Sequence, residues 1–227
     1  EDVEECEEAV ASFVERQGLS GDTWLWFCVF GNYQAGDGVG PSVAEQLKLD
    51  PFASVIQSPD LRFMTAVHTT KFDLYSRLWC VFEVDRALEQ EGVEVSCCMS
   101  TAYLQETVRR VGLFLEAGAS EEVWLEAADI TVSTVKARCS NAADEEMLVG
   151  KILERAGGFE ALDIAVSAFR KRALPREVFE AAVRFDGASL HLAREFLNDR
   201  ELVLLAAQED SAALAIAAEP LRSDLGF

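Results

Sequence analysis

The run Thr23-Trp24-Leu25-Trp26-Phe27-Cys28-Val29-Phe30 sets one Thr before seven apolar residues, four of them aromatic. A strand covered on both faces has this unbroken apolar character. The run therefore predicts a central strand of a parallel sheet, opening into a loop over 31–41. Short helices are expected near Ser42–Leu49 and Pro51–Ile56. Residues 62–70 read as a second strand. A helix follows from about Ser76 to Glu91, stopped by Gly92. Val93, Val95, Cys97 and Met99 then alternate with Glu94, Ser96 and Cys98, the pattern of a half-buried strand whose adjacent cysteines face opposite ways. Strand, helix and strand in succession give the α/β signature. Ahead of them, Val3, Cys6, Val10, Phe13 and Val14 mark one face of a helix over 3–16.

Composition narrows the function. The chain has 227 residues, half of them hydrophobic, with 20 basic and 40 acidic side chains and a formal net charge of -20. Such a surface repels duplex nucleic acid and anionic membranes, so neither is expected as a partner. The longest apolar run, Trp24 to Phe30, is far shorter than the ~20 residues that cross a bilayer. The acidic N-terminus lacks the layout of a signal peptide, and the missing starting Met predicts a piece of a larger multidomain protein. The six cysteines form no C-x-x-C pair and read as reduced thiols of a cytoplasmic protein. With two histidines, His68 and His191, no metal site is expected.

Beyond Thr101 the chain becomes helical and Ala-rich. Helices are expected over 104–115, 121–128, 142–156 and 159–171, while 130–137 reads equally as strand or loop. The last fifty residues repeat at a spacing of 24: Arg176-Glu177 matches Arg200-Glu201, and Asp186, Leu190 and Leu197 match Asp210, Leu214 and Leu221. Units so short must stack to bury their apolar faces, which predicts helical hairpins with Asp186 and Asp210 at the mid-unit turns. Arg176 and Arg200 are expected to pair within their own units. Four parts result: an N-terminal helix (1–19), an α/β domain (20–140), a helical connector (141–173) and two hairpin repeats (174–227).

The most specific string is Tyr75-Ser76-Arg77-Leu78-Trp79-Cys80-Val81-Phe82-Glu83. Ser-x-x-Trp-Cys-x-x-Glu opening a helix resembles the third helix of Toll/interleukin-receptor (TIR) domains, closest to the divergent TIR-like modules of large microbial eukaryotic proteins. Those carry an earlier strand of pattern Trp-x-x-x-Phe-x-x-Asn-x-Gln, to which Trp26, Phe30, Asn32 and Gln34 are similar. The likeness covers about residues 20–140. It implies a flavodoxin-like parallel sheet and a signalling or protein-interaction module, with self-association through that domain. For members that are enzymes it implies cleavage of NAD, as substrate rather than cofactor, at the nicotinamide–ribose bond. The resemblance puts the catalytic carboxylate on Glu83 and the substrate cleft near Phe30, Asn32, Gln34, Ser76 and Trp79. The opening run departs from the usual Asp-Val-Phe start of those enzymes. The tail, Asp199 to Leu214, is similar to tandem helical repeats of unknown function.

Two other features bear on ligand binding. Gly36-x-Gly38-x-Gly40 follows the expected strand but has neither dinucleotide-fingerprint nor P-loop spacing, so it reads as a surface loop. His68, beside Thr69 and Thr70, reads as a surface residue. Glu83 has a bland alternative too, as an exposed helix residue paired with Arg86 three positions on.

Overall fold

The computed structural model describes residues 3–27, 39–41, 45–46, 49–117, 128 and 132–225. The chain is mostly helical with a small two-stranded parallel sheet. Helix α1 (Val3–Arg16) comes first, then α2 (Pro51–Ile56). Strand β1 (Phe63–His68), helix α3 (Leu78–Leu88) and strand β2 (Glu94–Met99) form one strand–helix–strand unit. The strands pair in register from Phe63 opposite Glu94 to His68 opposite Met99. Then come α4 (Thr101–Glu116), α5 (Ala142–Glu154), α6 (Gly158–Arg172), α7 (Arg176–Phe185), α8 (Arg200–Glu209) and α9 (Glu219–Leu225).

Both faces of the sheet are covered. On one side Phe63, Val67 and Cys98 pack on Ala9 and Phe13 of α1, with the Phe13 and Phe63 rings edge-to-face at 6.3 Å. On the other, Ala66, Met64, Val95 and Cys97 meet Val84 of α3 and Phe169 of α6. Cys97 and Cys98 thus face opposite ways, as alternation requires, but β2 is covered on both sides rather than one. The opening run departs from expectation. Residues 23–27 form no strand, and Trp24 is 97% exposed; Cys28 to Phe30 lie outside the described residues. Apolar character alone does not make a strand: Trp26 meets its need for contact by standing edge-to-face on Phe52 of α2 at 5.9 Å. The helices expected near 42–49 and 121–128 also fall largely outside the described residues.

Local chemistry sets the helix starts. Ser100 caps α4 through the Tyr103 N–H, and Asn141 caps α5 through the Ala143 N–H. Helix α3 has no side-chain cap. Its first N–H, from Leu78, donates instead to the Arg138 carbonyl at 3.0 Å, and the Arg138 N–H donates to the Ser76 carbonyl. That pairing ties the start of α3 to a segment sixty residues further along. The ambiguous stretch before it resolves as a 3-10 turn over Thr134–Lys136.

Helix α4 joins the sheet unit to the tail, where Val111 and Leu115 share a core with Val178, Phe179, Leu202 and Val203. Each repeat is an α-helix followed by a 3-10 segment (Gly187–Leu192 and Ser211–Ala215), not a pair of full α-helices. Asp186 and Asp210 sit at the mid-unit turns with nearly the same backbone angles, φ -144° and -141°, and cap through the Ala188 and Ala212 N–H groups. Arg176 pairs with Glu180 in its own unit at 2.7 Å but also with Asp199, the cap of α8, at 2.6 Å. Arg200 pairs with Asp224. Arg176 therefore also joins the two units, a correction to pairing within its own unit alone.

Candidate functional site

Helix α3 places Trp79, Phe82, Glu83 and Arg86 at i, i+3, i+4 and i+7, so they share one stripe. Leu78, Val81 and Val84 take the buried side. The stripe faces a cavity of about 430 Å³ between α2, α3 and α5. Phe52 and Ile56 line it from α2, Lys151 and Ile152 from α5, and Arg155 from the position just past the end of α5. The Phe52 and Trp79 rings lie 4.8 Å apart, inclined at 42°. Asp50 holds α2 in place: it caps the helix from a left-handed φ of 47° and bridges Lys151 of α5 at 3.1 Å.

Glu83 opens into this cavity. Among the described residues no hydrogen bond or ion pair reaches its carboxylate. Arg86, its expected partner, pairs with Glu89 at 3.0 Å instead. Burial therefore goes largely uncompensated and pushes the Glu83 carboxyl up to about 7, with the Arg77 charge pulling weakly the other way. Such a group is close to half-ionised at neutral pH, the condition in which a carboxyl can either give or take a proton. A second carboxylate lies two residues further along α3. Asp85 is buried and paired with Arg155, which also reaches Glu89 at 2.9 Å. Burial raises the Asp85 carboxyl above the usual range even against the Arg155 charge.

The cavity wall carries five carboxylates (Asp50, Glu83, Asp85, Glu89, Glu154) and three cations (Arg86, Lys151, Arg155). An aromatic wall with an excess of carboxylates favours a neutral or cationic ligand group over an anionic one. No protein-family model, no curated protein and no solved structure matches the chain. Among the described residues no group of three or more His, Cys, Asp or Glu could hold a metal ion, and no helix is long and apolar enough to cross a membrane.

Of the residues singled out in the sequence, Trp79 and Glu83 come together at the cavity. Ser76 does not: the helix starts two residues later, and Ser76 sits in a 3-10 turn, its hydroxyl donating to the Asp73 carbonyl at 2.7 Å. Phe30, Asn32 and Gln34 lie outside the described residues. His68 is buried rather than at the surface, its Nε2 3.1 Å from the Tyr75 hydroxyl. Phe52, Asp85, Lys151 and Arg155 escaped the sequence reading. Asp50-Pro51 carries a helix-start signal, and Asp85 is an acidic residue on the apolar face of its helix; nothing local marks Lys151 or Arg155.

Proposed function

We propose that the cavity at Glu83 is an active site that hydrolyses NAD at the nicotinamide–ribose bond, on a TIR-like, flavodoxin-like frame whose core is β1–α3–β2. The observation that carries this reading is the partly buried Glu83 carboxyl, unpaired among the described residues, beside the Trp79 and Phe52 rings. Two further features support it. The volume, about 430 Å³, lies in the range of small-molecule sites. The aromatic, net-acidic wall suits a pyridinium ring, which is flat and cationic. The likeness of the Ser76 to Glu83 string to the third TIR helix points to the same chemistry.

In this reading the bond from the ribose C1′ to the ring nitrogen breaks, and its electron pair leaves with nicotinamide. The developing ribosyl cation is stabilised by the ionised Glu83 carboxylate. Water then adds to C1′ and passes its proton to Glu83 and on to solvent. Nicotinamide, ADP-ribose and one proton are the products. Incubation with NAD and chromatographic detection of nicotinamide test the proposal. Release is expected, with Glu83→Gln lowering the rate by ~10²-fold or more. No release from the full chain, or release indifferent to Glu83, overturns it.

A second reading, a non-catalytic signalling or protein-interaction module that self-associates, draws on a different observation. Trp24, Leu25, Trp26 and Phe27 form an apolar stretch with Trp24 almost fully exposed. Trp24→Ser then abolishes self-association measured by light scattering, while the fold is retained.

A further inference from the structure

A second buried site lies at the carboxyl end of the parallel strands, independent of the Glu83 cavity. Arg170 of α6 is only 8% exposed. Its guanidinium sits 4.1 Å from the centre of the Tyr75 ring, and among the described residues no carboxylate pairs with it. A buried cation without a counter-charge is costly, and a cation–π contact offsets only part of that cost.

Among the described residues, the groups next to Arg170 bring no negative charge. The Tyr75 phenol is raised well above its ordinary value by burial, and the Cys97 thiol is pushed up to about 12 by the same cause, so both stay neutral at pH 7. Beside Arg170 is a small cavity lined also by His68, Tyr103 and Thr107. The His68 ring stands 5.3 Å from that of Tyr103 and 5.5 Å from that of Tyr75. The open volume is about 10 Å³, room for a single small sphere and far too little for phosphate or sulfate. This position, past the ends of parallel strands, is where open α/β sheets place ligands.

We propose that Arg170, with Tyr103 and Thr107, holds one halide-sized inorganic anion in this cavity. The anion supplies the counter-charge that the described residues do not, and it ties α6 to α4. Chloride and bromide are the probes. Thermal unfolding of the full chain is compared in sodium chloride and in sodium gluconate of equal ionic strength, gluconate being too large to enter. The midpoint is expected to be higher in chloride by about 3 °C or more. Arg170→Met abolishes that difference, and Thr107→Val, which keeps the shape and removes a hydroxyl, reduces it. A bromide-soaked crystal shows an anomalous peak beside the guanidinium. Equal midpoints for the wild-type chain in the two salts overturn the proposal, as does a bromide map with no peak in the cavity, which needs no variant to fold. A chloride effect of the same size in a folded Arg170→Met chain marks a general salt response and overturns it equally.

Discussion

Asp85 and Arg155 stand seventy residues apart in the chain and pair across the wall of the larger cavity, the carboxylate buried and the guanidinium partly so. Helix α3 supplies the acid and the last turn of α5 leads to the base, so the pair fixes the distance between two of the three helices that shape the site. The other Asp85 oxygen, Oδ1, has no hydrogen-bond partner among the described residues. Removing Arg155 leaves a buried charge alone, which is worse than removing both charges. Arg155→Met is therefore expected to lower stability by about 3 kcal/mol. Asp85→Asn in the same chain should recover a large part of that loss. Urea unfolding of the two single variants and the double variant measures the coupling.

Glu83 predicts a pH dependence of opposite sign to that of an ordinary surface acid. Its carboxyl moves from 4.5 in the open chain to about 7 in the fold. Between those values the folded chain binds a proton that the unfolded chain has lost, so stability falls as pH rises from about 4.5 to about 7. The loss amounts to about 2–3 kcal/mol once partial exposure to solvent is allowed for. Glu83→Gln removes the titration. The variant should be more stable than the wild-type chain at pH 8 by about that amount, and the gap should close near pH 4.5. Unfolding free energies at the two pH values decide it; a gap that does not change with pH removes the unpaired carboxyl on which the proposed chemistry rests.

Glu5 predicts the reverse. Its carboxylate accepts from the Thr70 N–H at 2.8 Å, the Thr70 hydroxyl at 2.5 Å and the Ser100 hydroxyl at 2.6 Å. Glu8, one turn on, accepts from Thr101. Helix α1 is thereby strapped across the segments that leave both strands. The Ser100 hydroxyl bond is the largest of the effects that hold the Glu5 carboxyl below its usual range, and Thr70 follows. A lowered value means stability that is present above about pH 4.5 and lost as pH falls through the folded value. Glu5→Gln should loosen α1 at pH 7 by about 1–2 kcal/mol, and the difference from the wild-type chain should shrink toward pH 3. Hydrogen exchange of the α1 amides reads the change directly, because α1 is the element that carries Glu5 and Glu8.

Much of the secondary structure was legible in the sequence. The strand-helix-strand unit over 63–99, the helices α4 to α6 and the mid-unit caps Asp186 and Asp210 all carry local signals: two-residue alternation in β2, 3.6-residue periodicity and Asx turns. The run from Trp24 misled because apolar density says that residues seek cover, not that the cover is a neighbouring strand. Trp26 found it on a helix ring. Half of the candidate site was legible for the same reason: Trp79 and Glu83 share a helix stripe. Its other wall was not, since Lys151 and Arg155 meet α3 only through tertiary packing, and no pattern within α5 reports what lies opposite. The Glu83 environment was illegible too. Its i+3 neighbour Arg86 offered a partner, yet Arg86 turned to Glu89, a choice between equivalent spacings that local rules do not rank.

Gly187 makes the last prediction, and it concerns how the repeats stack. The first unit's 3-10 segment begins at Gly187, and a Cβ built there would collide with the Ala206 carbonyl oxygen and stand 2.8 Å from the Asp210 nitrogen. Both atoms are backbone at the end of α8, so neither can rotate away. The backbone at Gly187 needs no left-handed φ; what needs glycine is the closeness of the two units. In the second unit the matching position is Ser211, which is exposed and meets no such neighbour. Gly187→Ala should therefore cost roughly 2–3 kcal/mol by forcing the units apart, whereas Ser211→Ala should change stability by less than about 0.5 kcal/mol. The parting also strains the Arg176–Asp199 pair that spans the same interface, so Gly187→Ala combined with Arg176→Met should cost less than the sum of the two. Chemical denaturation of the four variants checks this, and a Gly187→Ala chain as stable as the wild type would mean that the two units do not approach each other this closely.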